Sequence, residues 1–412
     1  MKWKAYSVFL LFRFWFSLLF SMATVLSLVY HLEIVGLNPF RLVVVGTVLE
    51  TACFLLEIPT GIVADIYSRR RSVLIGLVLY GAGFVLEGAV PRFGAVLAAQ
   101  VIWGCGDTFI SGALEAWIGS EERTRPMEQV FLRGSQLSQA GSMVGMVLGT
   151  LLGSWSLQLP LVMAGLGCVV LAFALFWIMP ETNFLPVPRQ GKTLLLDMTG
   201  LFRINLRFLR KAPVLLALLA VVFCGGLGSE GFDRLSTAHF LEDSCLPSFW
   251  GWDRVTWFGL IGLLGSGLGI LASQVLLVYL EKRGQSSRTG VVIATSVGYV
   301  VGLLLFALVR NFWFMLIFYL LTGLMRTLKE PILSAWMNEH IREDMRATVF
   351  STSGQLDALG QIIGGPLVGL VAQYASVSWG LAVTALLLLP AWFLIPLAAK
   401  AETKRICRSD TI

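Results

Sequence analysis

The stretch "GIVADIYSRRRSVLIG", Gly61 to Gly76, places one carboxylate and three consecutive arginines between two long apolar runs. Charge is scarce elsewhere: of 412 residues 14% are charged and 56% hydrophobic, whereas soluble domains average about 25% charged. Composition therefore assigns the chain to the membrane class. Apolar stretches of about twenty residues, enough to cross a ~30 Å hydrocarbon core as helix, recur along the whole length. Twelve spans are expected, near 5–31, 41–64, 72–90, 93–118, 132–154, 160–179, 213–238, 256–280, 289–309, 312–336, 347–372 and 379–398. The first starts almost at Met1, is too long for the apolar part of a signal peptide and lacks a small-residue cleavage site, so it is read as a mature span. The six cysteines suggest neither a disulfide nor a metal framework.

Charge asymmetry orients the spans. With the N-terminus inside and spans alternating, 22 of the 31 Lys and Arg fall in cytoplasmic segments, and only Arg41, Arg92, Arg254 and Arg310 fall outside. That bias follows the positive-inside rule. It makes the charged stretch a tight cytoplasmic turn between spans 2 and 3, puts both termini in the cytoplasm, and accounts for the +6 net charge without nucleic acid. The expected location is a plasma membrane, the inner one of a bacterium. The longest interior connection divides the chain into an N-terminal six-helix bundle (1–179), a cytoplasmic linker (180–212), a C-terminal six-helix bundle (213–398) and a cytoplasmic tail (399–412). Within the linker, Leu194, Leu201, Ile204 and Phe208 recur at helical spacing, with Arg203, Arg207, Arg210 and Lys211 on another face. This spacing suggests a basic amphipathic helix on the inner membrane surface, or a solvated linker.

The halves are related. A shift of 219 residues, without a gap, superimposes Gly104 on Gly323, Thr108 on Thr327, Ala116 on Ala335, Trp117 on Trp336, Gly141 on Gly360 and Gly145 on Gly364, among thirteen identities in 45 positions. An even number of spans separates the copies, so the repeat is parallel. The fold class is all-α integral membrane: twelve transmembrane helices in two pseudo-symmetric six-helix bundles.

That topology, with a charged turn after span 2, resembles the major facilitator superfamily. Gly61, Asp65, Arg69 and Arg70 match its loop signature, with departures at Ile66, where the family has a base, and Ser68, where it has glycine. "EIPTGIVAD", "FISGALEAW", "SEGFDRL" and "GQLDALGQIIGGPLVG" resemble a bacterial drug-efflux-type branch. The resemblance implies that Asp65, Arg69 and Arg70 form a cytoplasmic latch between the bundles, with Gly61 of the signature and Glu115, read as a gate or packing residue nearer the cytoplasm, as further latch candidates; plain charge anchoring of the topology is the alternative. Where the family's fourth span carries an arginine three residues before Gly-x-Gly, this chain has Gln100 before Gly104 and Gly106, and the Gly-Pro of the antiporter span 5 is missing. Gly141, Gly145, Gly149 and Gly153 instead recur at every fourth residue, which favours close helix packing.

A charge at mid-membrane costs roughly 2.5–3.5 kcal/mol on insertion scales, so charged residues within spans are the candidate functional groups. Asp107, fourteen residues into span 4, is the leading proton-coupling carboxylate, with Glu50, Glu57 and Asp357 as rivals. Arg13, Arg326, Glu330, Glu230, Asp233 and Trp103 are candidates to line a cavity or form ion pairs. Arg13 is a possible partner of Glu57. Arg326, the repeat equivalent of Asp107, is spaced to pair with Glu330 and could also face Asp107. Glu87 is read as a gate or packing residue near the outer surface. A cleft with aromatic and acidic groups suits a lipophilic or cationic small molecule.

Together these features describe a secondary active transporter working by alternating access, with efflux by proton antiport as the leading expectation. Uptake symport and lipid or lysolipid flipping are the alternatives. A monomer in the lipid bilayer, a small-molecule substrate, and a proton or sodium as coupling ion are expected; a cofactor or metal is not. His31, His239 and His340 fall near different span ends with no nucleophile motif beside them, which disfavours an enzyme. A receptor does not need paired bundles with buried carboxylates, and with no phosphate-binding Gly-rich loop, direct ATP drive is disfavoured.

Overall fold

The computed structural model describes residues 4–184, 212–243, 246–247, 251–283, 288–341 and 346–409. Among these, every regular element is a helix. In chain order they are α1 (Ala5–Thr24), α2 (Ser27–Glu33), α3 (Pro39–Ile66), α4 (Arg69–Ala89), α5 (Phe93–Ile110), α6 (Ala113–Glu121), α7 (Met127–Gly153) and α8 (Leu159–Ile178). Then follow α9 (Pro213–Asp243), α10 (Arg254–Arg283), α11 (Arg288–Leu308), α12 (Phe312–Glu339), α13 (Arg346–Tyr374), α14 (Val377–Leu388) and α15 (Pro390–Ser409). The surface-helix expectation for the linker lies outside the described residues. Beyond 399, where a tail was expected, α15 continues as helix to Ser409.

Among the described residues, eleven segments are long and apolar enough to cross a membrane. The remaining expected span, the fifth (132–154), forms as the 27-residue α7, whose glycines and polar residues keep it below that hydropathy. Three spans are broken. In the first, the Thr24 and Ser27 hydroxyls donate to the Phe20 and Thr24 carbonyls, at 2.9 and 3.0 Å, and such back-bonding bends helices. The fourth breaks at Ser111 and Gly112, whose φ of 70° suits glycine alone among common residues. In the last, Pro390 ends α14. Helix starts follow their sequence signals: Asn38, with Pro39 behind it, accepts from the Arg41 amide at 2.9 Å, and Asn311 and Ser376 cap α12 and α14.

The helices gather into two compact units. One comprises residues 1–189 and 248–263, the other 190–247 and 264–412. In the first, α1 packs on α7 and α4 on α5 and α8. The glycine stripe explains the first contact: a Cβ on Gly141 would lie 2.2 Å from the Phe14 carbonyl oxygen, and one on Gly145 2.1 Å from that of Leu18. In the second unit α9 packs on α13 in the same way, since a Cβ on Gly364 would lie 2.0 Å from the Leu227 carbonyl oxygen. The internal repeat is therefore also a repeat of backbone approach. The second unit's core includes Leu215, Leu218, Ile332, Trp336, Met337 and Ile395.

Candidate functional site

The charged turn is built from several helix ends of the first unit. Asp65, on the last turn of α3, is exposed and sits 3.5 Å from Arg69, four residues on. Arg69 Nη1 donates to the Ala116 carbonyl on α6 at 2.9 Å. The Arg70 guanidinium donates to the Phe176 carbonyl in the last turn of α8 and lies 5.4 Å from that residue's ring, a favourable place for a cation. The α4 N-terminus is held by Ser68 and Glu181. Glu181 Oε2 accepts from Ser68 Oγ at 2.5 Å, and its Oε1 accepts from the Arg70 amide at 2.9 Å. Asp65 sits before the break at Tyr67 and Ser68, whereas the chain after α8 carries Glu181 back to the helix start. Glu115 is exposed, and a Cβ on Gly61 would meet nothing within 4 Å.

Three of the four proton-coupling candidates gather in the first unit. Cys53 on α3 lies 3.7 Å from the Gly104 carbonyl, within electrostatic reach of Asp107, Glu50 and Glu57. Asp107 Oδ1 accepts from the Tyr80 hydroxyl at 2.6 Å. Around Tyr80 stand Phe16, Phe20, Phe84 and Trp103, with ring centroids 5.1, 6.2, 5.7 and 5.5 Å from its own. Trp103 Nε1 is buried without a hydrogen-bond partner. A carboxylate bordered by aromatic faces can hold an organic cation. Arg13 packs its stem on Gly134 of α7, and its Nε is likewise buried without a partner.

Glu87 is 2% exposed and belongs to a closed polar cluster. His31 Nε2 lies 2.7 Å from Glu87 Oε1, Gln100 Nε2 donates to Oε2 at 3.0 Å, and the Tyr30 hydroxyl donates to the Glu87 carbonyl at 2.6 Å. Gln100, at the position where the resemblance implies an arginine, thus satisfies a buried carboxylate as a neutral donor.

In the second unit Arg326 Nη1 contacts Asp233 Oδ1 at 2.6 Å, and its Nε contacts Glu330 at 3.4 Å. The expected pairing with Glu330 is present. Facing Asp107 was the other expectation for Arg326; each has a partner in its own unit, Tyr80 for Asp107 and Asp233 for Arg326. Glu230, 3% exposed, pairs with Arg234 at 3.3 Å. Asp357 accepts from Gln361 at 2.9 Å. Arg326, Glu330 and Asp357 share a cavity of about 300 Å³ with Tyr299 and Lys329, neither of which sequence reasoning assigned a role. Extending the 219-residue shift pairs Tyr80 with Tyr299, a signal that would have found one of them. No group of three metal-ligating side chains occurs among the described residues.

Comparisons with known proteins agree with this architecture. The family model "Major Facilitator Superfamily" matches residues 6–243 and 250–406. The chain is 22% identical, over 84% of both chains, to "Uncharacterized MFS-type transporter YxaM" of Bacillus subtilis (strain 168). A shorter match, 33% identical, covers 24% of this chain and 20% of a "Lincomycin resistance protein" of Streptomyces lincolnensis. Among solved structures, a POT family transporter in complex with 5-aminolevulinic acid shares the fold with a TM-score of 0.79 at 11% identity, covering 96% of each chain. Nucleoside transporter NupG does so with a TM-score of 0.73 at 15% identity, covering 96% of this chain and 99% of the other. The family match runs through both halves and through the charged turn, and the chain belongs to the Major Facilitator Superfamily.

Proposed function

We propose that this Major Facilitator Superfamily transporter is a secondary active exporter that exchanges protons for a small lipophilic or cationic compound by alternating access. The observation that carries this reading is Asp107, hydrogen-bonded to Tyr80 beside Phe16, Phe20, Phe84 and Trp103. A carboxylate in this setting binds either a proton or an organic cation, and competition between them couples the two flows. Glu50 and Glu57, sharing the surroundings of Cys53 with Asp107, are the relay groups. The partial match to a lincomycin resistance protein supports efflux. Asp65, Arg69 and Arg70 act as the conformational latch, with both termini in the cytoplasm and the protein a monomer in a bacterial plasma membrane.

Reconstituted proteoliposomes with an imposed pH gradient, assayed against lincomycin and a panel of lipophilic cations, test the proposal. Gradient-driven movement opposite to the protons is expected. Movement with the protons would make the protein a symporter, and indifference to the gradient would remove the proton from the mechanism.

A further inference from the structure

The cavity in the second unit is lined by two buried residues, Lys329 and Tyr299, whose donors have no hydrogen-bond partner among the described residues. Lys329 is 7% exposed, lines the cavity, and lies with its Nζ 5.3 Å from the Tyr299 ring centroid. No carboxylate lies within 4.0 Å of that ammonium among the described residues, although Glu330 and Asp357 border the same space. The hydroxyl of Tyr299, itself 3% exposed, is also buried without a hydrogen-bond partner. The other cation of the cavity is already compensated, because Arg326 contacts both Asp233 and Glu330. Buried donors are nearly always satisfied, and a buried charge is nearly always paired. Two orphaned donors facing one space define what would complete it: an acceptor with negative charge.

We propose that this cavity is an oxyanion subsite, in which the ammonium of Lys329 and the hydroxyl of Tyr299 receive a carboxylate or similar anionic group of a transported solute. Ser229 and Ser353 add small polar walls, and a volume of about 300 Å³ admits a small organic anion. Only the identification of the anion with a transported solute rests on the exporter reading. The substrate class then extends to compounds carrying an acid group. Glu330 and Asp357 set a limit: their charges oppose a multiply charged anion and favour a single acidic group.

The test uses the full chain, with its six cysteines replaced by serine and the cavity-lining Ser334 changed to cysteine. Two thiosulfonate reagents of similar size, one sulfonated and one quaternary ammonium, report the charge that the cavity admits. The preference for the anionic reagent should fall about tenfold on Lys329→Gln, the size expected of one nearby, partly screened charge. It should be retained in Lys329→Arg, which keeps the charge if the glutamine variant folds poorly. Tyr299→Phe should reduce it less than Lys329→Gln does. Equal preference with and without the Lys329→Gln substitution would overturn the subsite. The labelling is repeated in neutral detergent and in liposomes containing phosphatidylglycerol. Slowing of the anionic reagent by that lipid alone would assign the site to a lipid headgroup and overturn the solute proposal. Because the labelling needs neither gradient nor transport, its failure is distinguishable from failure of proton exchange.

Discussion

Tyr80 and Tyr299 stand 219 residues apart on repeat-equivalent helices and meet opposite charges: the Tyr80 hydroxyl donates to Asp107 at 2.6 Å, whereas the ring of Tyr299 faces the ammonium of Lys329 at 5.3 Å. One structural position thus serves an acidic site in the first unit and a basic one in the second. The packing beneath repeats as well. A Cβ on Gly83 would lie 2.8 Å from Trp103, and one on Gly302 would lie 2.8 Å from Thr322, the residue equivalent to Trp103.

Asp107→Asn removes the titrating group and preserves shape. Transport driven by a pH gradient should fall at least about tenfold, a loss of some 1.4 kcal/mol of coupling, while equilibrium exchange of substrate persists. Counterflow measured beside gradient-driven flux separates the two. Wild-type gradient-driven rates would transfer the proton to Glu50, Glu57 or Asp357.

Glu181→Ala should loosen the α4 start by about 1–2 kcal/mol, since its carboxylate caps the Ser68 hydroxyl and the Arg70 amide. A lower thermal midpoint in detergent is the readout. Asp65→Asn, exposed and among the described residues paired only across one turn, should leave that midpoint nearly unchanged and lower turnover by shifting the inward–outward balance. Unchanged spin-label distance distributions in that variant would remove Asp65 from the latch.

Gly145→Ala forces a Cβ to within 2.1 Å of the Leu18 carbonyl oxygen, and overpacking of this kind costs about 1–3 kcal/mol. Gly61→Ala meets open space in a helix and should be neutral or stabilising by about 0.5–1 kcal/mol. Thermal unfolding of both variants compares the two glycines directly. If Gly61→Ala abolishes transport without destabilising the fold, glycine is needed there in a conformation other than this one.

Glu87→Ala leaves His31 and Gln100 facing a hole where their shared carboxylate was. Removing one partner of a buried pair costs about 3–5 kcal/mol, so expression and thermal midpoint should fall sharply. Glu87→Gln, which keeps an acceptor and the side-chain shape, should lose less; its loss relative to the wild type measures the charge, and the further loss in Glu87→Ala measures the acceptor and the filled space.

Span positions were legible because hydropathy reports burial in lipid over a twenty-residue window. The glycine spacing on α7 was legible as packing for the same reason, being local to one helix. Glu181 was not, because nothing near it in sequence says that the chain after α8 returns to the start of α4. Lys329 could be read as a basic residue inside a span, but its lack of a counterion is a property of three helices together. The break at Gly112 was hidden by apolar neighbours on both sides, which made one continuous span of α5 and α6.

That break has a counterpart. Gly112 and Pro331 occupy the same position of the repeat, one turn past Asp107 and Arg326 respectively, so each unit interrupts its helical ladder at one address by a different residue. Just beyond, the indole nitrogens of Trp117 and Trp336 are tied to the end of their own unit's chain, to the Pro180 carbonyl at 2.6 Å and to Glu402 at 3.2 Å. In the first unit the chain breaks at Gly112 into α5 and α6, whereas in the second α12 runs on as one helix through Pro331, whose missing N–H removes a rung of the ladder. The duplicated chain has thus kept a weak point of the helical ladder at one address while the charged residue one turn before it diverged in sign.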